Sequence, residues 1–156
     1  MPPADTTPAT APRLPIDLDA PLCVIVVGAD PAAEVHDRPI AAALVEHINT
    51  WAASRSTPAT PLAATFCVTD LWYLNNAHLR LRPSISIGSP EVNAFSALVI
   101  SRIGAIFSIQ DQLAIHADPE CRERVACCWG TSDAHTRRAV EHFAARHLDA
   151  FLSAAR

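Results

Sequence analysis

The feature that most constrains the fold is the stretch Pro83–Leu98, which combines the signals of a strand, a tight turn and a helix start. In Ile85-Ser86-Ile87, two β-branched residues flank a small one, which favours a strand that ends at Gly88. Ser89-Pro90 follows with a side-chain oxygen suited to an N-cap and a proline suited to the first helical position. The stretch therefore predicts a strand that turns into a helix beginning at Ser89, with one apolar stripe facing a sheet.

A glycine turn that leads into a helix also directs backbone amides toward an anion. We therefore weigh a phosphate or carboxylate ligand at Gly88–Glu91 against a purely structural turn. One glycine is a weak signal for a phosphate loop, and the Glu91 carboxylate would repel a second anion. The structural interpretation is favoured.

Composition excludes several classes of protein. The 156 residues are enough for one domain with a proper core, and half of them are apolar. All twelve basic residues are arginine, so the lysine that a P-loop or a Schiff-base enzyme needs is missing. The net charge of −4, with both signs interspersed, argues against a nucleic-acid or anionic membrane surface.

The five cysteines predict reduced thiols in a cytoplasmic protein. Their number is odd and no C-x-x-C pair occurs, which argues against a disulfide framework, a zinc finger and a thioredoxin-type site. The N-terminus lacks the basic start and apolar core of a secretory signal, and no apolar stretch reaches membrane-spanning length.

The chain divides into an arm and a domain. Residues 1–21 contain six prolines and predict a disordered arm, whereas residues 22–156 predict a single α/β domain. Leu22–Val27 is a continuous apolar run, which is typical of a central strand covered on both faces of a parallel sheet. Asp30–Asp37 predicts a loop.

The remaining elements predict a layered sandwich. It has a mostly parallel sheet with helices packed on it, and a hairpin or a bent strand at one edge. Besides the first strand and the Pro83–Leu98 unit, the predicted elements are a helix from Asp37 to about Ser54, strands at Ala64–Asp70 and Arg124–Gly130, two short strands at Ala105–Ile109 and Leu113–His116, and a helix from Ala134 to Ala154.

Ligands of such sheets bind outside the carboxyl ends of the strands, near a switch in strand order. The candidate ligand-binding residues at those ends are Asp30, Asp70, Gly88, Ser89, Asn93, Trp129 and Thr131. No pattern identifies a catalytic residue, a metal ligand or a cofactor.

Three alternatives concern the same edge. Asp30 and Asp70 could bind Mg²⁺ together, although solvated loop ends are the simpler interpretation. A triad of Cys67 or Ser89 with His36 and Asp70 can be written down, but Ser89 lacks the G-x-S-x-G context. His36-Asp37 lies in a loop on the strand-end side, where functional residues concentrate.

Two short motifs resemble a module of archaeal S-layer proteins. Ile87-Gly88-Ser89-Pro90-Glu91-Val92-Asn93 is similar to the module's G-G-P-x-x-N turn, with Ser89 in place of the second glycine. Gly130 and Thr136-Arg137-Arg138-Ala139-Val140-Glu141 are similar to its glycine and T-R-x-A-V-E helix start. The resemblance covers roughly residues 83–143 and implies a strand-turn-helix module used for scaffolding or interaction.

Two functions follow as hypotheses. The first is a non-catalytic interaction or scaffolding domain that forms a homo-oligomer or binds a protein partner, through Trp72, Tyr73 or the C-terminal helix. It does not involve nucleic acid or membrane. The second is a small-molecule or metal-dependent enzyme that uses Asp30, Asp70 and Asn93 at the strand ends.

Overall fold

The computed structural model describes residues 23–55 and 64–154. Its strands are β1 (Val24–Val27), β2 (Phe66–Thr69), β3 (Ser84–Ile87), β4 (Ala105–Ile109), β5 (Leu113–Ala117) and β6 (Val125–Gly130). Its helices are α1 (Pro31–His36), α2 (Arg38–Arg55), α3 (Asp70–Leu74), α4 (Ala77–Arg80), α5 (Ala94–Arg102), α6 (Asp133–Arg146) and α7 (Leu148–Ser153). The predicted proline-rich arm, residues 1–21, lies outside the described residues.

The six strands form one sheet in the order β2-β1-β3-β6-β5-β4. Strands β2, β1, β3 and β6 are parallel, whereas β5 pairs antiparallel with both β6 and β4. The predicted α/β fold is therefore confirmed, with the hairpin β4-β5 forming one edge of the sheet.

Helices cover both faces of the sheet, and strand β1 supplies side chains to each. Ile25 and Val27 face the core beneath α2, α6 and α7, while Val24 and Val26 face the core beneath α3, α4 and α5. All four side chains are fully buried. This double burial explains why β1 is a continuous apolar run rather than an alternating one.

The helix after β3 begins later than the sequence predicts. Ser89–Val92 forms a turn in which the amides of Val92 and Asn93 both donate to the Ser89 carbonyl, at 3.2 and 3.1 Å. Helix α5 starts at Ala94 with Asn93 as its N-cap, so the expectation that Ser89 caps this helix is wrong. Asn93 prevails because its side-chain oxygen receives two amide hydrogen bonds, from Phe95 and Ser96.

The structure departs from the sequence prediction in three other places, one of which is a segment for which no element was predicted. The predicted loop after β1 contains helix α1, because Asp30 caps it and Pro31 suits its first turn. The aromatic segment after β2 forms the short helices α3 and α4, capped by Thr69 and Asn76. The single C-terminal helix is divided at His147, and the two parts bring Phe143 and Phe151 together in one core with ring centroids 5.7 Å apart.

Candidate functional site

The carboxyl ends of β1, β3 and β6 meet at one edge of the sheet. From β1 the chain goes first to its neighbour β2 and then to β3 on the other side, so the strand order switches between β1 and β3. This is the point at which an open α/β sheet usually forms its ligand crevice.

Asp70 connects three elements at this edge. One carboxylate oxygen accepts hydrogen bonds from the amides of Ala29 and Leu71, at 2.8 and 2.7 Å, and the other accepts from the Ala94 amide at 2.7 Å. The side chain is 4% exposed. Both oxygens are therefore engaged in holding the end of β1 and the start of α5 to α3.

Asn93 makes a comparable set of bonds. Besides capping α5, its side-chain nitrogen donates to the carbonyls of Ile87 and Val26, at 2.9 and 3.3 Å. These carbonyls lie at the ends of two neighbouring strands, so one amide side chain ties β1, β3 and α5 together. Asn93 is 1% exposed and offers no free group to a ligand.

The open part of the edge is a cleft of about 120 Å³ between α1 with the following Asp37, the turn after β3 and the start of α6. We call it the Asp37 cleft. Its polar lining is formed by His36, Asp37, Ser89, Thr131, Ser132, Asp133 and Thr136.

Asp37 is the most unusual group in this cleft. Its residue is only 6% exposed, and its carboxylate has no hydrogen-bond partner among residues 23–55 and 64–154. Burial raises the pKa of this carboxyl to about 6; the neighbouring Asp133 charge raises it further, and His36 opposes both. A desolvated carboxylate without a partner is costly to the fold.

The polar side chains at the rim of the cleft already have partners. The His36 imidazole contacts the Asp133 carboxylate, with 2.8 Å between Nδ1 and Oδ2, and both side chains are exposed. The Thr131 hydroxyl lies 3.0 Å from Nδ1 of His135, whose amide donates to the Ser132 cap of α6. These contacts leave Asp37 as the unpaired group at the floor.

The seven candidate residues therefore separate into three groups. Ser89 and Thr131 line the cleft, and Gly88 lies against the Asp37 carboxylate. Asp70 and Asn93 lie nearby but are engaged by the fold. Asp30 is exposed and caps α1, while Trp129 packs against the core beneath α3, α4 and α5.

Asp37 itself was outside that set, although its loop was a second candidate. The sequence presents it as a helix cap, because an aspartate directly precedes Arg38-Pro39. In the structure its amide instead closes α1 by donating to the Ala33 carbonyl, and its side chain turns toward Gly88. The only sequence signal was its place in a loop at the strand-end side.

The alternative chemistries find little support in the geometry. Both oxygens of Asp70 are bonded to amides, and within the described part of the chain no three His, Cys, Asp or Glu side chains are grouped to hold a metal ion. The proposed triad is not assembled, because His36 pairs with Asp133 rather than with Asp70. Burial also raises the pKa of the Cys67 thiol to about 11, which disfavours the reactive thiolate.

Comparison with known proteins identifies no relative of this chain. No protein-family model, curated protein or solved structure matches this chain. The resemblance to the S-layer module therefore stays a prediction. Within the described residues, no helix combines the length and the apolar character needed to cross a membrane.

Proposed function

We propose that this chain is a non-catalytic α/β interaction domain that self-associates through the surface of α3 and α5. The observation that carries the proposal is a group of large apolar side chains on that surface. Leu71 and Trp72 of α3 are 58% and 50% exposed, and Leu98 of α5 is 41% exposed. Helices α3 and α5 contact each other, and large exposed apolar side chains on neighbouring helices are typical of a surface that another protein covers.

A groove beside these side chains supports the same proposal. It has a volume of about 250 Å³, and its apolar lining includes Leu74 from α3 and both Phe95 and Leu98 from α5. We call these helices and their groove the α3–α5 face. Burying one Trp or Leu side chain contributes about 1.5–3 kcal/mol, so two copies of this face could supply much of a dimer's binding energy.

The charges of the groove favour a second copy of the chain as the occupant. Arg80, Arg102 and Glu123 all line it, and neither arginine forms an ion pair with Glu123 in the described structure. In a two-fold dimer, Arg102 of one copy can meet Glu123 of the other copy, and the symmetry repeats this pair. A surface that carries both positive and negative charge can therefore be complementary to itself.

We also propose that the protein acts in a reducing compartment and that its partner is a protein. All five cysteines are free, which supports the cytoplasm. The net charge of −4 gives no support to a nucleic-acid surface. An enzymatic or ligand-binding alternative would have to use the Asp37 cleft, because Asp70 and Asn93 are engaged in holding the fold together.

The test is the oligomeric state as a function of concentration, measured by light scattering and native mass spectrometry. We expect a dimer in the unmodified protein and at least a tenfold weaker dimer in Trp72→Glu and Leu98→Glu, because each places a charge in an apolar contact. Val35→Glu is the matched control, since Val35 is also exposed but lies on α1. A monomer at all concentrations, or a dimer equally sensitive to the control, would contradict the proposal.

A further inference from the structure

We propose that the Asp37 cleft is a binding site for the N–H groups of a small organic cation, such as a guanidinium or a primary ammonium. The site is separate from the α3–α5 face, and nothing in the proposal depends on self-association.

The first argument is the state of the Asp37 carboxylate. It is more than nine-tenths buried, it lines the cleft, and no described residue donates a hydrogen bond to it. Asp70, at the same edge of the sheet, has three amide donors. An acceptor that lines a cleft and that the fold leaves without a donor is available to receive one from a ligand.

The second argument is the backbone next to it. Gly88 has a φ of +107°, and a Cβ built there would collide with the Asp37 carboxylate. Any other residue at position 88 would both strain the turn and fill the space over the carboxylate. Glycine therefore leaves the acceptor open to the cleft.

The third argument is the charge of the surroundings. The ionisable side chains that line the cleft around Asp37 are His36 of α1 and Asp133 of α6. His135 of α6 contacts Thr131 at the same cleft. Arg38 of α2 is directed away, since it pairs with Glu34 and contacts the Cys67 sulfur. His36 already pairs with Asp133, so the Asp37 carboxylate is the acidic group of the cleft that has no cationic partner, which favours a cation over an anion.

Size and hydroxyl groups limit the ligand. A volume of about 120 Å³ holds roughly four water molecules at about 30 Å³ each, which is close to the size of one guanidinium group. The hydroxyl of Ser89 and the carboxylate of Asp133 face the same space and can accept further N–H bonds. A planar cation with several donors fits this arrangement better than a spherical one.

The experiment uses methylguanidinium as the probe, at concentrations well below those that unfold proteins. Binding to the full chain is followed by NMR shifts of the backbone amides of Gly88, Ser89 and Thr131. Tetramethylammonium is the matched control ligand, because it carries the same charge without an N–H group. Asp111→Asn is the matched control variant, since Asp111 is an exposed carboxylate in the β4-β5 turn.

We expect saturable binding at pH 7.5 that weakens by about tenfold in Asp37→Asn and stays unchanged in Asp111→Asn. Binding should also weaken at pH 5, where Asp37 is mostly protonated, and it should release protons between pH 6 and 7, which calorimetry in two buffers detects. Equal binding of tetramethylammonium would overturn the N–H requirement. Binding that is insensitive to Asp37→Asn, or no saturable binding at all, would overturn the site.

Discussion

At the scale of single residues, polar groups at the strand ends differ in whether the fold satisfies them. Asp70 and Asn93 have hydrogen-bond partners for all their side-chain oxygens, whereas Asp37 has none in the described structure. The sequence places all three near strand ends but does not reveal this difference. The partners are too distant along the chain: Ala29 lies 41 residues from Asp70, and Val26 lies 67 residues from Asn93.

The unsatisfied carboxyl of Asp37 should give stability a characteristic pH dependence. Its pKa is about 6 in the folded protein against 3.8 for an ordinary aspartate, because it is buried near Asp133. Between pH 4 and 6 the unfolded chain loses this proton while the folded chain retains it, so the free energy of unfolding falls as pH rises. Below about pH 3 the group is protonated in both states and its contribution is constant.

The variant Asp37→Asn should therefore be more stable than the unmodified protein at pH 7.5, by about 1 kcal/mol after allowing for screening at the open mouth of the cleft. At about pH 3 the two proteins should have equal stability. Urea unfolding at both pH values measures this, with Asp111→Asn as the control for a surface charge. A loss of stability in Asp37→Asn at pH 7.5 would show that the carboxylate has a partner in solution.

At the scale of elements, local signals predicted most of the strands and the bounds of α2, but not the start of α5 or the end of α6. The apolar run of β1, the alternation in β3 and the two strands of the hairpin were each predicted within about two residues. The start of α5 was wrong because Ser89 and Asn93 are both good N-caps, and the choice depends on strand carbonyls that only Asn93 reaches. Helices α3 and α4 were not predicted, because each is too short for a helical period to be recognised in the sequence.

The role of Asn93 leads to a prediction about the junction of β1, β3 and α5. In Asn93→Asp the new carboxylate can still accept from the amides of Phe95 and Ser96, but it faces the carbonyls of Val26 and Ile87 where Asn donates. We expect a loss of about 2–4 kcal/mol in the free energy of unfolding, because a buried charge lies against two acceptors.

The control for this prediction is Asn76→Asp. Asn76 caps α4 through its oxygen, and its side-chain nitrogen makes no hydrogen bond to any described residue, so either residue type serves there. Its stability should change by less than about 0.5 kcal/mol. Equal effects of the two substitutions in urea unfolding would contradict the role assigned to the Asn93 amide.

At the scale of the whole molecule, the class of fold was predictable and the arrangement of strands was not. Alternating strands and helices indicate an α/β sandwich, which the structure confirms. The position of β6 between β3 and β5 has no local signal, because it depends on which edges remain open after β1, β2 and β3 have paired. The Asp37 cleft depends on that same choice, since β6 and α6 form one of its walls.

The two cores of the molecule lie on opposite faces of one sheet, and each core contains one of two adjacent cysteines. Cys127 packs in the core beneath α3, α4 and α5, while Cys128 packs in the core beneath α2, α6 and α7. Both are fully buried, and burial raises the pKa of both thiols, so neither reacts readily in the folded state. Strand β6 cannot leave one core without disturbing the other.

We therefore expect Cys127 and Cys128 to become reactive toward iodoacetamide at the same urea concentration, as a cooperative two-state transition requires. Pulsed alkylation followed by fragmentation of the labelled peptide in a mass spectrometer resolves the two positions. The half-buried Cys121, in the loop before β6, is the internal control and should react without urea. If Cys127 reacted at lower urea than Cys128, the layer of short helices α3, α4 and α5 would open independently of the sheet's other face.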